Sequence, residues 1–143
     1  MKKPILYFFV AVISIVGVFT ACQPDDNPDD ITPVVDARLK YQGVWNCTES
    51  STMSYTVNIS LDTVNGTQIK MFNFHNLGFE EFSFGIVSNN TITLPSQTMC
   101  LGTTTIEGTA TMQTNNTTVD FYYTVNDGVN LDTIQAVYTK QSS

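Results

Sequence analysis

The chain has 143 residues, and loss of a cleavable start would leave roughly 120, enough for one domain with a core of its own. Charged residues are only 13% and aromatics 11%, while Thr, Asn and Ser crowd the second half, a balance that suits β-structure and excludes a coiled coil. Six Lys and Arg against 13 Asp and Glu give a formal net charge of −7, which excludes the basic footprint that a nucleic-acid partner requires.

Lys2 and Lys3 precede an apolar run from Ile5 to Phe19, and small residues lead to Cys22. This is the layout of a signal peptide over residues 1–21, because the run is shorter than the ~20 apolar residues that span a bilayer and ends at a small-residue cleavage site. Phe19-Thr20-Ala21-Cys22 resembles the lipobox of bacterial lipoproteins, with Phe19 where an aliphatic residue is usual. The resemblance implies acylation of Cys22, so that the membrane is the first partner; each buried CH₂ contributes about 0.8 kcal/mol to such anchoring. An ordinary secretory signal, with Cys22 free or disulfide-bonded, is the alternative.

Residues 22–36 carry Asp25, Asp26, Asp29 and Asp30 among Pro24, Pro28 and Pro33, too acidic and too poor in apolar residues to pack; the expectation is a tether. Acidic residues just after the cysteine are similar to the surface-export signal of Bacteroidetes lipoproteins, which implies the outer face of the outer membrane; a solvated linker without an addressing role is the other reading.

From residue 37 to 143, apolar and polar residues alternate at period 2. The pattern predicts about eight or nine strands, over 41–49, 54–62, 67–74, 81–88, 91–95, 97–101, 104–113, 117–126 and 132–140. Asn65-Gly66, Asn89-Asn90, Asn115-Asn116 and Asp127-Gly128 are hairpin signals, so consecutive strands should pair in an antiparallel meander. Closure into a small β-barrel removes the exposed edges; a two-sheet sandwich is the alternative. Gly43-Val44-Trp45 resembles the Gly-x-Trp opening of lipocalins and other calycins, which implies that Trp45 packs across the closed end of an eight-stranded barrel. The family places a late Arg on that Trp; no Arg follows Arg38 here, and Lys140 at the end of the last strand is the one cationic candidate. Tyr41-Gln42-Gly43-Val44-Trp45 is also similar to the start of small Bacteroidetes lipoproteins, implying location and fold but no activity.

The inventory for catalysis is poor. His75 is the sole histidine, a structural or exposed imidazole by default; no metal set is spaced for zinc, and no cofactor motif is present. Glu80, Glu81 and Glu107 could suggest acid–base work, but solvated rim positions are the plainer reading. No catalytic residue is assigned, and the chain is read as a non-enzyme. Cys47 and Cys100 are the thiols left after Cys22; in an oxidising compartment they are expected to pair, closing a loop of about 50 residues.

Aromatics concentrate in Phe72 to Phe84 and in Phe121 to Tyr123. Should the barrel enclose space, Trp45, Phe82, Phe84, Phe121 and Tyr123 are the candidate lining for a small apolar ligand, with Phe82, Phe84 and Ile86 inward because Ser83 and Gly85 suit the outside. Otherwise these rings fill the core, and the chain is a structural or adhesive module facing an envelope protein. Asp62-Thr63-Val64 and Asp132-Thr133-Ile134 are similar to the O-glycosylation motif of exported Bacteroidetes proteins, which makes Thr63 and Thr133 candidate glycan sites; turn-forming Asp-Thr pairs are the alternative.

Overall fold

A computed structural model of the protein describes residues 35–142. Cys22, the expected signal peptide and nearly all of the expected tether lie outside the described residues. The strands are β1 (Gly43–Glu49), β2 (Ser54–Leu61), β3 (Gln68–Phe72), β4 (Phe82–Ser88), β5 (Thr91–Met99), β6 (Thr104–Met112), β7 (Thr118–Asn126) and β8 (Leu131–Lys140). Each pairs antiparallel with the next and β8 pairs with β1, so the sheet is a closed eight-stranded meander barrel rather than a sandwich. Closure gives every strand a neighbour on both sides, with β4 and β5 laddered only between Ile86–Ser88 and Thr91–Thr93.

The count is eight because the segments 91–95 and 97–101 are one strand with a bulge. The register with β6 shifts between Leu94 and Gln97, where Pro95 brings no N–H to the ladder. The gap this opens toward β4 is filled by a side chain: Gln97 accepts from the Phe84 N–H and donates to the Phe84 carbonyl, both at 2.8 Å. Two of the hairpin signals act through left-handed asparagines, Asn89 (φ 52°) and Asn116 (φ 55°). The 62–67 loop works differently. Asp62 accepts from the Val64 and Asn65 N–H groups at 2.8 and 3.3 Å, and Gly66 is not called on for a positive φ.

Inward rows come from every strand: Trp45 and Cys47, Val57 and Ile59, Ile69 and Met71, Val87, Ile92 and Leu94, Ile106, Ala110 and Met112, Val119, Phe121 and Tyr123, Ala136 and Tyr138. On β4 the inward set is Ser83, Gly85 and Val87, which reverses the expectation for Phe82, Phe84 and Ile86: Phe82 is 44% exposed. Pairing with β3 decides it. Ser83 stands opposite Met71 and Gly85 opposite Ile69, and directly opposed residues share a face. A Cβ on Gly85 would meet Ile92 Cγ2 at 2.5 Å, so the interior has room there only for glycine. Gly108 likewise abuts the Tyr123 backbone, its missing Cβ allowing β6 to bend tightly against β7.

One end of the barrel is closed by the residues entering β1. Trp45 is fully buried and its indole N–H donates to the Tyr41 carbonyl at 2.7 Å. Lys140 Nζ lies 5.4 Å from the Trp45 ring centroid and donates to the Lys40 carbonyl at 2.8 Å, so the late cation expected over the tryptophan is in place. Arg38, paired with Asp36 at 2.7 Å, donates to the carbonyls of Asp62, Asn65 and Gln68 and pins the neighbouring loop.

Candidate functional site

The opposite end is built around a carboxylate. Glu49 closes β1 on the same parity as Trp45 and Cys47, so alternation turns it inward, and its side chain is almost fully buried. Three groups converge on its Oε1. Tyr55 of β2 donates to it, Tyr123 of β7 donates at 2.7 Å, and His75 Nδ1 lies 3.0 Å away. His75 Nδ1 is also 3.0 Å from the Tyr123 hydroxyl, whose proton is committed to Glu49, so an Nδ1–H serves both oxygens. His75 arrives from the turn between β3 and β4 with φ 52°, a left-handed conformation uncommon for histidine. A hydrogen bond from the Asn73 amide to the Thr56 carbonyl at 2.8 Å fixes that turn to β2.

Burial alone would raise the Glu49 pKa, but the hydrogen bonds from Tyr55 and Tyr123 and the nearby His75 outweigh it and hold the carboxyl below its usual value. Burial raises the Tyr55 and Tyr123 phenols, which therefore stay protonated and donating. The Cys47 thiol, beside Tyr55 and Tyr138, is pushed up to about 11 by the same burial, and a thiol is not the nucleophilic form. The arrangement holds one fixed negative charge against two phenols and an imidazole at the mouth of the barrel.

Cys47 and Cys100 are both free thiols, a correction to the expected bridge. The ring order explains it: β1 and β5 are four strands apart in either direction, Cys47 points into the core, and Cys100 lies in the turn after β5. Trp45, Phe121 and Tyr123 are buried together in the core, whereas Phe82 and Phe84 lie on the outer wall of β4. The five residues proposed to line one pocket therefore do not share one face. Thr63 and Thr133 are both exposed, Thr63 within the turn that Asp62 builds and Thr133 on β8. Glu80 and Glu107 are exposed, while Glu81 accepts from the Cys100 N–H at 2.5 Å, so the three carboxylates do not assemble.

Two concavities, of about 710 and 420 Å³, open on the outer wall of the barrel. Tyr122, 54% exposed on β7, borders both. Thr48, Thr111, Asp120 and Gln135 contribute to the larger, and Ser96 and Thr124 to the smaller. The carboxylate cluster is what sequence reasoning missed. The signal was present in Trp45, Cys47 and Glu49 at alternate positions, since a carboxylate on an inward row must find donors or stay uncharged.

Neither a protein-family model nor a curated protein matches the chain. Among solved structures it is similar to a redesigned β-barrel, with TM-score 0.46 and 15% identity over 75% of this chain and 96% of that one. It is also similar to EF1p2_mFAP2b, whose structure is described as bound to DFHBI, with TM-score 0.46 and 12% identity over 74% and 98% of the two chains. The fold of this chain is given by its own ladder of paired strands.

Proposed function

We propose that this protein is a non-enzymatic lipoprotein, anchored through acylated Cys22 to the outer face of an outer membrane, and that it engages partners with the outside of its barrel. The observation that supports it is where bulk and space lie. Trp45, Ile59, Met71, Ile92, Phe121, Tyr123 and Tyr138 occupy the interior at 0–2% exposure, while the two concavities and the Phe82 face open outward. Side chains that fill the interior in this way take one another as packing partners, and the reading gives the core no small apolar ligand. The buried thiol and the triply hydrogen-bonded carboxylate serve as structural groups in this reading.

Two experiments test it. Intact mass of the membrane-extracted protein should show loss of residues 1–21 with added acyl mass, and Cys22→Ala should release the chain from the membrane; an unlipidated secreted product refutes the anchoring. A hydrophobic fluorescent probe added to the folded domain should find no saturable interior site. Saturable uptake that Phe121→Ala abolishes and Phe84→Ala spares would restore the reading of a carrier for a small apolar ligand.

A further inference from the structure

We propose that the Glu49 end of the barrel is a docking rim for a protein segment that is both apolar and basic. Each of the four loops at that end presents a large apolar side chain to solvent. They are Met53 between β1 and β2, Phe79 between β3 and β4, Leu101 between β5 and β6, and Val129 between β7 and β8, where Leu131 follows. Leu101 is fully exposed and Val129 is 88% exposed. The three loops at the Trp45 end are built largely from Asn, Thr, Gly, Asp and Gln, with Val64 as their one large apolar tip. Isolated exposed apolar residues are ordinary, but one on every loop around a single rim sets this end apart as a candidate contact surface.

The tips are held rather than loose. Leu101 has φ 55° and its neighbour Cys100 φ 53°, left-handed values that side chains other than those of Gly and Asn adopt at a cost. The geometry is enforced by the Glu81 carboxylate, which accepts the Cys100 N–H, and by the Thr103 hydroxyl, which donates to the Cys100 carbonyl at 2.8 Å. Asp127 accepts from the Val129 and Asn130 N–H groups at 2.8 and 2.7 Å. Asn73 accepts from the Gly78 N–H at 2.8 Å at the base of the Phe79 loop. Apolar groups fixed in advance lose little entropy on binding.

Charge selects the occupant. Among the described residues the four Lys and Arg are Arg38, Lys40 and Lys140 at the Trp45 end and Lys70 midway along β3, so the Glu49 rim carries none. Glu80, Asp127 and Asp132 are exposed around the apolar tips. An anionic lipid surface is repelled by that rim, whereas a segment with Lys or Arg beside its apolar side chains complements it. The inference deepens the reading of an outward-engaging module and rests on that part of it; it does not require Cys22 to be acylated.

The test is a titration of residues 23–143, which keep every strand of the barrel, against a labelled amphipathic Leu/Lys peptide. Its Leu/Glu counterpart and vesicles of phosphatidylcholine are run in parallel. The Leu/Lys peptide should bind, weakening about tenfold or more in a Phe79→Ser, Leu101→Ser variant and severalfold in Glu80→Gln, Asp132→Asn or on raising salt. Both variants alter exposed side chains, and an unchanged thermal midpoint shows that folding is intact. Equal binding of the two peptides, binding that ignores the rim variants, or rim-dependent capture of the vesicles without the peptide each overturns the proposal. Absence of peptide binding together with saturable interior probe uptake would bring down the outward-engaging reading as well; absence of both overturns the docking rim alone.

Discussion

The two ends of the barrel are made from the same hairpins and finished in opposite ways. At the Trp45 end every cation has a partner: Lys140 bridges the indole and the Lys40 carbonyl, and Arg38 takes three carbonyls of the next loop along with Asp36. At the Glu49 end a buried carboxylate takes the place of the tryptophan, left-handed residues recur at Thr52, Asn73, His75, Asn76, Cys100 and Leu101, and apolar tips face water. The contrast teaches where a small barrel keeps its stability and where it carries strain. One end is a plug whose cations are all paired, although the buried Tyr41 hydroxyl has no partner among the described residues and Leu39 and Val64 are exposed there. The other carries an apolar tip on every loop and most of the left-handed backbone.

The strongest way to break the comparison is Trp45→Ala, expected to cost about 3–5 kcal/mol as a large truncation in a closed core; a denaturant midpoint near that of the parent would mean the plug is not the stabilising end. Glu49→Ala should follow at about 3 kcal/mol, because Tyr55, Tyr123 and His75 are left without their acceptor. Glu49 also sets a pH signature. Its folded pKa is lowered, so its contribution is complete above the ordinary carboxylate pKa of about 4.3 and is lost as pH falls through the folded value. Thermal melts between pH 7 and pH 3 should therefore decline more steeply for the parent than for Glu49→Gln.

A smaller effect of the opposite sign is expected from Leu101→Gly, which relieves a left-handed leucine at a fully exposed tip and should raise stability by up to about 1 kcal/mol. The smallest is none at all: because Cys47 and Cys100 are free, a reducing agent should leave the melting temperature unchanged, and a fall on reduction would reinstate the bridge.

The sequence by itself determined the class of fold, the direction of the meander and most of the inward rows. Period-2 alternation and short Asn- and Gly-marked connections leave few other ways to bury one face and pair neighbours. It also placed Trp45 and Lys140 at the ends of strands that adjoin on closure. Only the tertiary structure decided the parity of β4, since both of its faces hold apolar residues and local composition favours the wrong one; the Met71 and Ile69 partners across β3 fix it. It alone decided that Cys47 and Cys100 stand apart, because strand distance around a ring is set by closure and is invisible in residue spacing. The site at the Glu49 end depends on the same closure. Glu49, Tyr55, His75 and Tyr123 come from positions up to 74 residues apart, and only a ring that returns β7 and β8 to β1 brings their polar atoms onto one carboxylate oxygen.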